Sequence, residues 1–280
     1  MSAAASPSTP PSAPVPPAAK PPAPPPAPPA ASPPPRAPPP PLAGEATDTG
    51  AVRRDSVRLL RWIVNGSAKV LGAVEVGSVE AVGLLSVGGD LTAGDVRVRG
   101  RLSAGGATRC TGRLESKGTA RFVGPVEAAE LRVQGRTECS VGLRVTGRAS
   151  VEGQLLMPDA FAAGSLEFAG SLSVGGSLEA NEVHGTLEGE SRVGRVKATR
   201  LELRRPSFPP WKRGGEFLTE RIDADEVRLE GTRVEYLVAR EIHLGPDCHV
   251  NRAEGTIVER HRSSYVGYES SSPPPPGLFR

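Results

Sequence analysis

The sequence contains few aromatic residues, few cysteines and no long apolar run. Aromatic residues make up 4% of its 280 residues, which is thin for a deep globular core, where large rings supply much of the buried area. Three cysteines argue against a disulfide framework, and the lack of about 18 consecutive apolar residues argues against a transmembrane helix. The opening residues MSAAASPSTPP do not resemble a signal peptide, so we expect a cytoplasmic protein.

The chain also lacks a strong excess of charge of either sign. It carries 34 basic and 31 acidic residues, which gives a net charge of +3. Proteins dedicated to nucleic acids usually carry a clustered basic excess. We therefore expect no nucleic-acid partner.

Glycine and proline are abundant, but they occupy different parts of the chain. Residues 1–43 hold most of the 30 prolines and no glycine, whereas residues 66–194 are rich in glycine and hold only Pro125 and Pro158. A proline-rich segment adopts extended polyproline II conformations and buries little apolar surface. The sequence thus predicts a disordered tail over residues 1–50, which serves as a spacer or as a ligand for a proline-binding domain.

The glycines between residues 66 and 194 recur about every six residues, with apolar–polar–apolar triplets such as Val96-Arg97-Val98 between them. Alternation with a period of two is typical of a strand with one buried face. Turn signals this close together do not fit a sandwich, in which turns come about 8–12 residues apart. They favour an all-β fold: a parallel β-helix of triangular cross-section with about 17 residues per coil. We expect small aliphatic side chains to fill this tube, which should be too narrow for tryptophan.

The pattern divides the rest of the chain. The main β-solenoid is predicted over residues 66–203, in about eight coils. Three prolines within five residues then interrupt the ladder, so residues 204–216 are predicted to be an insertion loop. The alternation returns over residues 217–259, where we expect two or three further coils, followed by a disordered tail at residues 260–280.

Two stretches carry a resemblance to a known family: Gly94–Gly105 (GDVRVRGRLSAG) and Leu178–Gly189 (LEANEVHGTLEG). The spacing of glycines and apolar residues in these stretches resembles that in the bactofilins, a family of polymer-forming cytoskeletal proteins. The resemblance implies a right-handed β-helix flanked by disordered tails, with nucleotide-independent polymerisation through the ends of the helix. This chain departs from the family in its longer solenoid, its insertion and its lack of an apolar N-terminal membrane-targeting peptide, which leaves membrane contact open.

The ends of the solenoid are the predicted polymer interface, because each exposes unpaired backbone groups and the cut ends of apolar ladders. Residues 51–65 are expected to cap or lead into the first coil, as a short helix that begins at Asp55 and plugs the end, as the first strand, or as a membrane-surface contact. The candidate interface residues are three near each end: Val64, Val70 and Val74, and Ile242, Leu244 and Val250.

The insertion is the candidate site for a partner, since basic side chains there surround two aromatic rings. Its candidate binding residues are Phe208, Trp211, Lys212 and Arg213. Such a cluster can fold onto the side of the solenoid, bind a partner protein, or contact nucleic acid or lipid.

Enzymatic residues are not predicted. Hexapeptide-repeat acyltransferases share the six-residue beat, but they need a histidine base, and His184 is the single histidine of the main solenoid. Cys248 and His249 are neighbours that point in opposite directions, which does not suit a zinc site. Cys110 and Cys139 should act as small buried fillers. We therefore expect no catalytic residue, cofactor or metal.

Taken together, the residues and the resemblance favour a structural, self-assembling cytoskeletal scaffold whose main partner is itself. The alternative is a monomeric, capped solenoid that recruits partners through its proline-rich tail or its 204–216 loop, and an acyltransferase-like enzyme ranks third. Proline-binding or cell-envelope-associated proteins are the further partners expected for the tails. Attachment to the membrane or to a cell pole would then occur through those partners.

Overall fold

Parallel strands account for nearly all of the regular structure in a computed structural model of the chain, which describes residues 42, 44–206 and 214–270. They form one sheet of 13 strands in which each strand pairs with the next along the chain, and this confirms the predicted parallel β-solenoid. The strands are β1 (Glu45–Arg54), β2 (Val57–Val70), β3 (Val74–Val87), β4 (Leu91–Ala104), β5 (Thr108–Phe122), β6 (Val126–Cys139), β7 (Leu143–Met157), β8 (Phe161–Leu187), β9 (Ser191–Arg204), β10 (Phe217–Leu229), β11 (Thr232–Leu244), β12 (His249–Arg260) and β13 (Tyr265–Ser270).

Each coil lies directly on the previous one. Val57 pairs with Val74, and Val74 pairs with Leu91, so a coil in this region takes 17 residues, as predicted. After the insertion the coils are shorter, because Phe217 pairs with Thr232, only 15 residues later.

Inward positions form columns of small aliphatic side chains inside the tube. One such column includes Leu85, Leu102, Leu155 and Leu172, all fully buried. Complete burial of a leucine side chain contributes about 1.5–3 kcal/mol, and a repeated coil multiplies that contribution along the axis. The core of the solenoid is therefore linear.

Trp62 corrects the expectation that the tube is too narrow for tryptophan. Its side chain is fully buried in the second rung. Its column neighbours are the small residues Ala46 and Val79, which leave room for the indole.

One corner of the early coils is built from stacked glycines. Gly66, Gly83, Gly100 and Gly118 pair in direct succession and all have φ between 121° and 129°. A Cβ added to Gly83 would lie 2.1 Å from the carbonyl oxygen of Gly66. Both the left-handed backbone and the close approach exclude any other residue at this corner.

The corner design changes within β8, which is 27 residues long because it continues through a corner where earlier coils have a turn. Before β8, short turns near residues 71–73 and 88–90 stack at one corner and the glycines occupy another. After β8, turns occupy the corner at which the earlier coils have a glycine. In these turns the amide of Gly189 donates a hydrogen bond to the carbonyl oxygen of Gly170, and the amide of Gly245 donates one to the carbonyl oxygen of Leu229. We call residues 45–174 the glycine-cornered region and residues 175–270 the turn-cornered region.

Three predicted boundaries need correction. Residues 51–65 form the end of β1 and the start of β2, so the first-strand alternative describes them and the plugging helix does not. The solenoid already begins at Glu45, inside the predicted tail. Ala46 and Asp48 there pair with the inward residues Trp62 and Val64, and Gly50 pairs with the corner residue Gly66. At the other end β13 lies inside the predicted 260–280 tail.

Candidate assembly surfaces

The six predicted interface residues lie inside the solenoid. Each is at most 1% exposed, and each belongs to a strand with neighbours on both sides. The structure therefore does not place them in the terminal strands, which are β1 and β13 and lie beyond the predicted solenoid limits. The residues are Val64, Val70, Val74, Ile242, Leu244 and Val250.

The N-terminal rung carries two charged residues at inward positions. Asp48 pairs with Val64 and Arg54 with Val70, so both occupy columns that are apolar in the next coil. Arg54 donates hydrogen bonds of 2.9 and 2.6 Å to the Asp48 carboxylate, and the indole N–H of Trp62 donates another of 2.8 Å. The apolar ladders are thus covered by a hydrogen-bonded ion pair at this end.

This ion pair persists at neutral pH. The hydrogen bond from Arg54, assisted by that from Trp62, lowers the pKa of Asp48 although partial burial acts in the opposite direction. The same hydrogen bond raises the pKa of Arg54. Each partner stabilises the charged form of the other.

The C-terminal end repeats this design with different residues. Arg260 follows Leu244 in one inward column, and Glu269 follows Ala253 in another. Their side chains form an ion pair with a distance of 2.8 Å between Nη1 and Oε1. Inward charges on a terminal strand oppose indiscriminate edge-to-edge pairing.

Sequence reasoning missed both terminal ion pairs because it read their segments as a tail and a cap. The signal was present at the N-terminal end. Counting back one coil from Gly66 gives Gly50, and that register places Asp48 and Arg54 in the inward columns.

An Arg–Tyr ladder leads to the C-terminal rung. Arg221, Tyr236, Arg252 and Tyr268 follow one another in an outward column. The Cζ atom of Arg221 lies 4.8 Å from the Tyr236 ring centroid, and that of Arg252 lies 5.3 Å from the centroids of both tyrosines. Tyr268 ends the ladder with 58% of its surface exposed, so this end presents an aromatic ring.

The base of the insertion is fixed by Arg205. Its amide bonds to Glu230, its Nε donates to the carbonyl oxygen of Gly215 at 2.9 Å, and its Nη1 pairs with Asp247 at 2.8 Å. The clamp therefore joins both sides of the insertion to the two following coils. The predicted binding residues Phe208, Trp211, Lys212 and Arg213 lie outside the described residues.

The histidines and cysteines occupy structural positions. The half-exposed ring of His184 lies 3.2 Å from the carboxylate of Glu202, which is largely buried, and His243 lies 3.7 Å from Glu259. Cys110, Cys139 and Cys248 are free and buried, as predicted for the first two, and burial raises the pKa of Cys139 to about 12. Within residues 44–206 and 214–270 no three metal-ligating side chains converge.

Helices long and apolar enough to cross a membrane are not found in the described part of the chain. A comparison with protein-family models gave no match, and searches of curated proteins and of solved structures gave none either.

Proposed function

We propose that this protein is a structural scaffold that assembles with further copies of itself through the ends of its β-solenoid, without nucleotide. One observation carries the proposal: β1 and β13 each pair with a single strand among the described residues. Each end therefore presents a row of backbone N–H and C=O groups that no further described strand pairs with. A second copy satisfies these groups by extending the ladder, and repetition of that contact gives a fibre.

The sides of the solenoid support association through the ends. Outward side chains form ion pairs between neighbouring coils, which keep the lateral faces charged and solvated. Individual surface pairs of this kind contribute little to stability, but they disfavour lateral apolar contact. They include Arg58–Glu75, Arg109–Glu127, Arg113–Glu130 and Arg148–Glu167.

The proline-rich tail and the insertion supply the partner contacts of the proposed scaffold. A cytoplasmic fibre would carry one tail and one clamped loop per copy, so partners would be arrayed along it at regular intervals. Attachment to the membrane or a cell pole would then depend on those partners.

A second function, the monomeric capped binding module, is favoured by one specific observation. Both terminal rungs place an ion pair, Asp48–Arg54 or Arg260–Glu269, over the apolar columns. Such pairs can end a solenoid without a partner.

Sedimentation velocity and negative-stain microscopy of the full chain, without nucleotide, separate the two functions. The scaffold predicts extended oligomers or fibres whose mass rises with protein concentration. A single monomeric species at high micromolar concentration would overturn the scaffold and leave the binding module.

A further inference from the structure

One inward column runs the whole length of the solenoid and has opposite charges at its two ends. It begins at Asp48 in β1 and ends at Arg260 in β12. Successive members of this column are paired residues of neighbouring strands, except Phe168 and Gly185, which both belong to β8. Those two residues nevertheless lie on one another, because a Cβ added to Gly185 would lie 2.4 Å from the Phe168 ring. The 13 members are Asp48, Val64, Ala81, Val98, Ser116, Val133, Val151, Phe168, Gly185, Leu203, Leu229, Leu244 and Arg260.

An outward column has a cation at its start and an exposed aromatic ring at its end. It begins at Arg53 and ends at Tyr265, and every step is a strand pair. Tyr265 is 53% exposed. The 13 members are Arg53, Lys69, Ser86, Ser103, Arg121, Glu138, Leu156, Ser173, Arg192, Leu218, Arg233, His249 and Tyr265.

The free backbone edges of the two ends also match. Thr256–Arg260 of β12 pair with β11 on one side, but β13 pairs only with His249–Glu254, so the other edge of Thr256–Arg260 has no partner strand among the described residues. The residues at this free edge lie in the same columns as the residues of β1. For example, the column that starts at Ala46 ends at Ile257. The first half of β1 therefore has the register needed to lie on the free part of β12.

We propose that copies join head to tail, so that the N-terminal rung of one copy continues the parallel ladder on the C-terminal rung of the next. This inference rests on the proposed self-assembly and specifies which ends meet. At the strand spacing of about 4.8 Å, the joint places Asp48 over Arg260 and Arg53 over the ring of Tyr265. The terminal charges then select the partner end.

Joints between like ends do not make these contacts. A two-fold axis across such a joint pairs the strands antiparallel, so the columns do not continue through it. Asp48 and Arg260 would also never meet, because they lie at opposite ends. The head-to-tail joint has two poor matches, Val57 over Glu269 and Arg54 over Val266. In each the charged residue already has an ion-pair partner, Arg260 for Glu269 and Asp48 for Arg54.

Cysteine cross-linking tests the joint directly in the full chain. Two single variants, Arg53→Cys and Tyr265→Cys, are oxidised separately and as an equal mixture, and products are identified on non-reducing gels and by mass. The three native thiols are buried and give a low background. Arg121→Cys, in the same outward column but in the middle of the solenoid, replaces Arg53→Cys in the control mixture.

The head-to-tail joint predicts a covalent dimer in the Arg53→Cys and Tyr265→Cys mixture, and little dimer in the control mixture or in either variant alone. Dimers of each variant alone would show like ends meeting and would overturn the inference while leaving self-assembly intact. If the unmodified chain stays monomeric in sedimentation, the proposed function fails and the inference fails with it.

Charge reversal gives an independent readout. Arg260→Glu would place a carboxylate opposite Asp48, and like charges at an interface cost several kcal/mol, which corresponds to at least a tenfold rise in the critical concentration for assembly. Arg121→Glu is the matched lateral control and should leave that concentration unchanged. Circular dichroism checks that both variants keep the fold. An unchanged critical concentration for folded Arg260→Glu would contradict the joint.

Discussion

The glycine-cornered and turn-cornered regions build the same tube in two ways. In the glycine-cornered region, the corner glycine of each coil packs directly against the carbonyl group of the corner glycine in the previous coil. The number of residues per coil therefore scarcely varies. In the second, a turn occupies that corner, and the spacing between paired residues ranges from 15 for Phe217 and Thr232 to 26 for Ser191 and Phe217. A corner made of a turn accepts inserted residues, which explains why the insertion lies in the second region.

The largest difference between the regions should appear on adding one methyl group at the corner. Gly118→Ala forces alanine to φ of 123° with its Cβ 2.3 Å from the Gly100 carbonyl oxygen, so we expect a loss of at least 3 kcal/mol, roughly the sum of strain and overpacking. Gly189→Ala meets only Ser171 Cβ at 3.3 Å and should cost less than about 1 kcal/mol. Denaturant unfolding followed by circular dichroism measures both, and equal losses would contradict the two corner designs.

The insertion tests the tolerance of the turn-cornered region. Arg205→Ala removes the clamp between Gly215, Glu230 and Asp247. Its side chain is partly exposed, so we expect a loss of about 1–2 kcal/mol together with faster proteolysis within residues 206–216. Arg204→Ala, whose exposed side chain pairs with Glu202, is the matched control. If both variants are cut at the same rate, Arg205 does not hold the loop.

Buried hydroxyl groups should respond in opposite directions in the two regions. Thr137 Oγ1 is buried and has no hydrogen-bond partner among the described residues, so Thr137→Val should raise the free energy of unfolding by about 1 kcal/mol. Thr219 Oγ1 lies 3.3 Å from the carbonyl oxygens of Gly194 and Arg221, so Thr219→Val should lower it by about the same amount. Thermal unfolding of the two variants side by side provides the comparison, and changes of the same sign would refute it.

The smallest expected effect concerns pH. The pKa of Asp48 is lowered in the folded protein, so its contribution is complete above its usual value of about 3.9 and is lost as the pH falls through the lowered folded value. We expect Asp48→Asn to be less stable than the unchanged chain at pH 7, with a difference that shrinks below pH 4. Acid titration of the unfolding midpoint measures this, and a difference independent of pH would show that the carboxylate charge does not matter.

The sequence predicts the fold well because each coil repeats one local rule: a corner glycine followed by an apolar–polar–apolar triplet. The rule weakens at the two ends of the solenoid. Asp48 and Arg260 break the apolar pattern at the two ends, so the pattern predicts a tail or a cap there. For the same reason the six predicted interface residues lie inside the solenoid and not in its terminal strands. The change of corner in β8 is not predictable from the sequence either. Gly175 and Gly176 keep the regular spacing of the glycines, although the chain continues as a strand through them.

The axial repeat of the fibres, measured from layer lines in electron micrographs, tests the central claim most directly. Each copy contributes 13 rungs to the columns of Asp48 and Arg53, so head-to-tail assembly at the usual strand spacing predicts a repeat of about 60 Å. Alternating like-end joints would double it to about 120 Å, since two copies then form the unit that repeats. A repeat of about 60 Å supports the account, and the doubled repeat or an absence of fibres would contradict it.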